Sequence, residues 1–299
     1  MERHKGIVQI GIGCLVAGGL VGWHLVCRAR AALTQKAAAY EQREEVASSH
    51  PVGPPFVPVA HLEYTGEEDW TWGAFCGLMD DKIAEYGHSA YLVALSGIEL
   101  GRDAVPQLAD VNVQLAAAGS AWRMHPVGGL VDEVEFFALL GSMNFPCGVH
   151  IRDASSLTFA DSPDLCHEVF GHLPWFFVPQ VARLTARFGA AYATAQAAGD
   201  SEMTTAIKRV YFWTLEVGLV KEDNSDDVKV LGSGMLSSVY EIERSVTSTD
   251  LHIPFDIDQM VKDPIDVTIA QPHYYVVDSL DVLESQCNAW LDQTLSALE

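Results

Sequence analysis

The chain has 299 residues with 18 basic and 40 acidic side chains, a formal charge of -22. Such a balance excludes a polyanion partner, because nucleic-acid binding needs a basic patch or stripe. The length can bury a large core without staples, and the six cysteines (Cys14, Cys27, Cys76, Cys147, Cys166 and Cys287) contain no C-x-x-C pair, as expected of buried thiols in a reducing compartment.

The first feature in chain order is an apolar run, Gly6 to Cys27, interrupted only by Gln9 and His24. As a helix its 22 residues rise roughly 33 Å, about the hydrocarbon thickness of a bilayer. Residues 1–27 are therefore predicted to be a single N-terminal hydrophobic helix that anchors the chain. The rival is a cleaved signal peptide, since Ala29 and Ala31 frame an A-x-A pattern, although such peptides have a shorter apolar region. Arg28, Arg30, Lys36 and Arg43 follow the run and only Arg3 and Lys5 precede it, a bias that places the remainder of the chain on the cytoplasmic face, with an unanchored cytoplasmic protein as the alternative.

Residues 28–59 read as a spacer: polar helix formers give way to "SSHPVGPPFVP", whose prolines cannot continue a helix. Residues 60–299 then form one domain. Its longest patterned segments, "PQVARLTARFGAAYATAQAAG", "EMTTAIKRVYFWTLEVGLV" and "SLDVLESQCNAWLDQTLSALE", are helical, while "DVKVLGSG" and "HYYVV" suit short hairpins or edge strands. The fold class is mainly α.

Within "PDLCHEVFGHLP", Pro163 to Pro174, two histidines stand five apart. That spacing is about 140° out of phase on an ideal helix, so one straight helix cannot present both. Gly171 offers a solution if it takes the left-handed conformation that ends a helix and lets His172 turn back towards His167. A capping histidine beside a core histidine fits the same letters. Glu216, embedded in "YFWTLEVGLV", adds a carboxylate whose burial requires a cation or donors. A salt bridge to Arg209 or Lys221 would satisfy it; so would a metal held with His167 and His172. Two histidines and a carboxylate suit iron(II), but related sets hold zinc.

Beyond these letters, "YTGEEDWTW", "VPQLADVN", "HPVGGLVDEVEFF", "FPCGVHIRD", "SPDLCHEVFGHLP", "VYFWTLEVGL", "GSGMLSSVYE" and "QPHYYVVDS" occur in the order in which similar blocks occur in a known family. Over about 230 residues the chain resembles the catalytic domain of the biopterin-dependent aromatic amino acid hydroxylases, a basket of helices and loops with short β-hairpins. The resemblance implies Fe(2+) bound by His167, His172 and Glu216, with tetrahydrobiopterin as co-substrate. It places Glu168 near the pterin and the metal-bound water, Phe136 on the pterin ring, and Leu130 and Val131 in the pterin loop. Arg152 falls on the arginine that grips the substrate carboxylate, Asp164 behind it, Ser237 and Ser238 beside the histidines and substrate region, and Phe212 on the wall of the substrate pocket.

The implied partners are an aromatic L-amino acid, O2 and the tetrahydropterin; the implied reaction puts one oxygen atom into the ring and the other on the pterin. Phenylalanine to tyrosine is the first expectation, because chains without the family's regulatory domain and tetramerisation helix most resemble the phenylalanine enzymes; a monomer or weak dimer follows from the same comparison. Phe212, where phenylalanine enzymes usually have tryptophan, keeps tryptophan hydroxylation as the alternative, and a tethered binding protein with a degenerate site is a further one. Three departures stand out: Ala160 for threonine, Ser162 for glutamate, and Glu133 for serine in the pterin loop.

Overall fold

The computed structural model describes residues 19–52, 57–158, 162–267 and 269–296. Two units are present, one ending at Ala38 and one spanning Ala39–Glu299. The larger unit holds the site. Helices dominate it, as the sequence predicts: after α1 (Gly19–Ser49), which begins in the smaller unit, come α2 (Gly66–Tyr86), α3 (Ser89–Ser96) and α4 (Leu108–Ala117). Strand β1 (Arg123–Val127), α5 (Glu133–Gly141) and β2 (Asn144–Gly148) follow, then the short α6 (Leu165–His167), α7 (Pro179–Ala197) and α8 (Ser201–Tyr211). The remainder comprises β3 (Leu219–Lys221), β4 (Val228–Val230), α9 (Ser233–Leu236), α10 (Glu241–Thr247), β5 (His252–Pro254), α11 (Ile257–Met260), β6 (Tyr274–Val277) and α12 (Leu280–Ser296).

The strands only partly follow the hairpin expectation. β3 and β4 do form an antiparallel hairpin, pairing Leu219 with Val230. "HYYVV" instead supplies β6, which lies parallel to both β3 and β5 in a sheet of order β4-β3-β6-β5. β1 and β2 are also parallel, with α5 as their crossover. Parallel partners separated by long connections leave no turn signature beside the strand, so alternation alone could not reveal them.

The expected membrane placement is corrected. Among the described residues no helix is long and apolar enough to cross a membrane. α1 opens at Gly19, and its apolar residues end at Cys27, before the polar stretch that starts at Arg28. Residues 1–18, with most of the apolar run, lie outside the described residues.

The sequence boundary at residue 60 also falls inside the compact unit. The prolines from Pro51 onward suit a spacer, but the helix before them runs to Ser49 and buries Arg43. The Arg43 guanidinium donates to both Glu68 carboxylate oxygens, at 2.8 and 3.3 Å, and to the Glu63 carbonyl at 2.7 Å. Burial pushes the Glu68 carboxyl up, but hydrogen bonds from Arg43 and the Thr65 N–H outweigh it and hold the group below its ordinary range. Thr65 and Glu68 form a reciprocal capping box at the start of α2. Breaking such a buried pair from one side costs about 3–5 kcal/mol, so residues 39–49 are part of the domain's stability.

An aromatic core ties these elements to one another. Trp122 stacks on Phe176 and Phe137 on Tyr192, each with ring centroids 4.2 Å apart. Trp72 and Phe75 meet Phe170, and Phe145 lies 4.3 Å from the His172 ring, so the core extends to the histidines.

Candidate metal and substrate site

The two histidines are brought together by a helix defect rather than by a left-handed glycine. α6 widens into a π-turn over Glu168–His172. Hydrogen bonds from i to i+5 make the turn broader, and residues five apart come nearly into phase. Gly171 is absent from the described residues with positive φ. It is glycine for another reason: a Cβ there would stand 2.7 Å from the Ser233 carbonyl oxygen and 3.1 Å from Ser233 Cβ. The expectation of a left-handed cap is thus replaced by a π-turn pressed against the start of α9. A second π-turn, Phe212–Glu216, carries the carboxylate at the end of α8.

His167 Nε2 and His172 Nε2 lie 3.1 Å apart. Glu216 approaches them at 3.9 and 3.4 Å, respectively. Two donors each about 2.1 Å from one ion, and about 90° apart around it, are separated by about 3.0 Å, so the histidine spacing fits one transition-metal ion. Ser237 Oγ sits 2.8 Å from His167 Nδ1 and donates to the Ser233 carbonyl at 2.9 Å. The hydroxyl proton is therefore engaged and Oγ accepts from Nδ1–H, which leaves the His167 Nε2 lone pair facing His172 and Glu216. Burial holds the His167 imidazole down at about 4, with Asp164 opposing and Arg152 assisting; burial and His167 hold His172 well below its ordinary value. Both rings are neutral at pH 7, as metal ligation requires.

The carboxyl groups show the complementary effect. Burial pushes Glu216 up to about 7, opposed by the Tyr211 hydroxyl. Burial, then the charges of Glu216 and Asp164, push Glu168 well above the usual carboxylate range against a Gly148 N–H bond. An oxygen of Glu168 lies within 4.8 Å of the nearest nitrogens of both histidines, so this acid faces the same space as the ligand set. Sequence reasoning missed Tyr211, five residues before Glu216. The second π-turn is the feature that brings residues with that spacing into phase.

Arg152 and Asp164 interlock beside the histidines. The Asp164 carboxylate accepts from Arg152 Nε at 2.9 Å, Nη2 at 2.8 Å and the Arg152 backbone N–H at 2.7 Å. It also caps α6 by accepting from His167 N–H at 3.1 Å. One carboxylate thus fixes both the guanidinium and the first histidine. Arg152 lies over the Phe75 ring, 4.4 Å from its centroid.

The remaining predicted positions divide. Phe136 packs edge-on against Phe145 and Tyr211, adjoining the histidine cluster. Leu130 is 78 % exposed although large and apolar, and Val131 is half-buried. Phe212 begins the π-turn that ends at Glu216, while Trp213 turns away to stack on His273. Ser238 does not join its neighbour at the histidines: its Oγ accepts from Glu241 N–H at the start of α10. Glu133, the first residue of α5, is drawn to Lys208 Nζ at 2.5 Å. Ser162 is exposed, and Ala160 lies outside the described residues.

Arg152 with Asp164, beside a two-histidine, one-carboxylate cluster whose spacing fits one transition-metal ion, presents a ligand set that suits iron(II) or zinc. Residues 34–297 match the biopterin-dependent aromatic amino acid hydroxylase family, and the chain belongs to it. It is 30% identical over 227 residues to phenylalanine-4-hydroxylase of Vibrio cholerae, covering 75% of each chain. A phenylalanine hydroxylase structure from Legionella pneumophila superposes with a TM-score of 0.72 at 26% identity, covering 81% of this chain and 94% of that one. The cobalt-bound phenylalanine hydroxylase of Chromobacterium violaceum gives 0.70 at 26% identity, covering 78% and 83%.

Proposed function

We propose that this domain hydroxylates L-phenylalanine to L-tyrosine, using O2 and tetrahydrobiopterin at one iron(II) held by His167, His172 and Glu216. The observation that carries the reading is the convergence of the two Nε2 atoms and the Glu216 carboxylate on one point. Family membership makes the enzyme a pterin-dependent monooxygenase, and relatives named phenylalanine-4-hydroxylase support phenylalanine as the substrate.

The bound iron and pterin supply the oxygen-activating redox chemistry that no side chain can perform. The chain's own residues bind and orient. Asp164 occupies the Nε/Nη2 edge of Arg152 and the Leu157 carbonyl takes one Nη1 proton; the protons left on Nη1 and Nη2 receive the substrate carboxylate as a charge-assisted pair. Phe212 forms one wall for the aromatic ring. Glu168, whose carboxyl is pushed above the usual carboxylate range by burial, is the acid that faces the pterin side of the site. Phe136, Leu130 and Val131 would hold the pterin when it is bound.

Competition between phenylalanine and tryptophan in one reaction tests the substrate. Tyrosine should be the main product. A wild type that prefers tryptophan, with the preference lost in Phe212→Trp, would overturn the choice.

A further inference from the structure

We propose that Glu44, in the final turns of α1, is a positioning residue that holds the pterin loop from behind. The proposal rests on the functional reading above for the identity of that loop. Two independent contacts define it. The Glu44 carboxylate meets His150 Nε2 at 2.6 Å. It also fills the space beside Gly128, where an added Cβ would stand 2.7 Å from both Glu44 carboxylate oxygens. Gly128 directly precedes Gly129, Leu130 and Val131. The neighbouring Gly129 has no heavy atom near its missing Cβ, so the close approach is specific to Gly128.

His150 is held on three sides. Tyr40 stacks on its ring, with centroids 4.0 Å apart and planes 8° from parallel. Arg43 Nε donates to Nδ1 at 3.3 Å, which makes Nδ1 the acceptor and places the proton on Nε2, facing Glu44. The His150 carbonyl accepts from Leu165 N–H at 2.8 Å, and Val149 N–H donates to the Val127 carbonyl. One side of α1 thus braces the strand ends that lead into both the pterin loop and the helix of the histidines. Arg43 anchors this brace through Glu68, and Glu44 delivers it to Gly128. The Glu44 side chain is 42% exposed, so its loss should leave the global fold intact while freeing the loop.

The test compares Glu44→Ala, Glu44→Gln, Gly128→Ala and the double variant Glu44→Ala/Gly128→Ala, with the exposed Glu45→Ala as a control. The full chain is titrated calorimetrically with dihydrobiopterin, a redox-inert probe, and separately with phenylalanine, while hydrogen exchange is followed at the amides of residues 128–131. Glu44→Ala should weaken dihydrobiopterin binding about tenfold and accelerate exchange in the loop, with phenylalanine affinity and the unfolding midpoint nearly unchanged. Glu44→Gln, which still accepts from His150, should recover most of the affinity. Gly128→Ala displaces the carboxylate and should resemble Glu44→Ala, and the double variant should be no worse than either single one. Equal losses for pterin and phenylalanine, or additive losses in the double variant, would overturn the positioning role. Faster loop exchange in Glu44→Ala with a wild type that binds no dihydrobiopterin would leave the brace standing and refute the pterin reading instead.

Discussion

Replacing Gly171 discriminates between two explanations of the histidine geometry. A glycine in the left-handed region tolerates asparagine better than alanine, because asparagine visits that region readily. A glycine required by close approach shows the opposite order. Here a Cβ would lie 2.7 Å from the Ser233 carbonyl oxygen, and that oxygen belongs to the backbone, so it cannot rotate out of the way. Either the π-turn or α9 must move by several tenths of an ångström, and overpacking of this kind costs about 1–3 kcal/mol. Because Ser237 of the same segment holds His167, the shift also disturbs the ligand, where loss of a supporting hydrogen bond weakens metal binding by about 10- to 100-fold. Urea unfolding followed by tryptophan fluorescence, with cobalt(II) titration of the metal-free protein, reads both effects. Stability and affinity should fall in the order wild type, Gly171→Ala, Gly171→Asn. An asparagine variant that matches or exceeds the alanine variant would refute the close-approach argument.

Three further outcomes follow from the site. Asp164→Asn leaves Arg152 buried beside a neutral partner and should cost about 3–5 kcal/mol in urea unfolding while raising the phenylalanine requirement; an unchanged midpoint would deny the pair its structural role. Ser237→Ala should weaken cobalt(II) binding by about 10- to 100-fold with little change in global stability, because the imidazole loses the partner that fixes its tautomer; unchanged affinity would assign the tautomer to other contacts. Glu216 titrates at about 7 and must be ionised to bind a cation, so binding releases its proton below that pH. Cobalt(II) affinity should therefore rise with pH up to about 7 and level off above it, whereas Glu216→Gln should bind weakly with a flatter profile. A flat wild-type profile between pH 5.5 and 7 would contradict the raised carboxyl.

The chemistry-bearing letters were legible before the structure because they are local: "HEVFGH" and "TLE" state donor type and spacing outright. Their geometry was harder to read. A π-turn carries no residue signature of its own, and Gly171 fits equally a left-handed cap and a tight contact with Ser233, 62 residues further on (233 - 171). Ser237 and Ser238 are adjacent and chemically identical, and only the short α9 decides that one reaches His167 while the other serves α10. The role of Arg43 depends on Glu68, 25 residues away, with prolines between them that suggested an interruption. Helix formers around Tyr40 read as a polar spacer; the structure makes them the end of α1, docked through Arg43.

The central claim is a single iron(II) on His167, His172 and Glu216 that supports pterin-dependent ring hydroxylation. Protein purified without oxygen, stripped of metal, reloaded with graded iron(II) and supplied with tetrahydrobiopterin, O2 and phenylalanine tests it directly. Tyrosine formation should rise linearly and saturate at one iron per chain, disappear without tetrahydrobiopterin, and be absent in His172→Ala at every iron level. Tyrosine formed without added pterin, saturation at a different stoichiometry, or full activity in His172→Ala would contradict it.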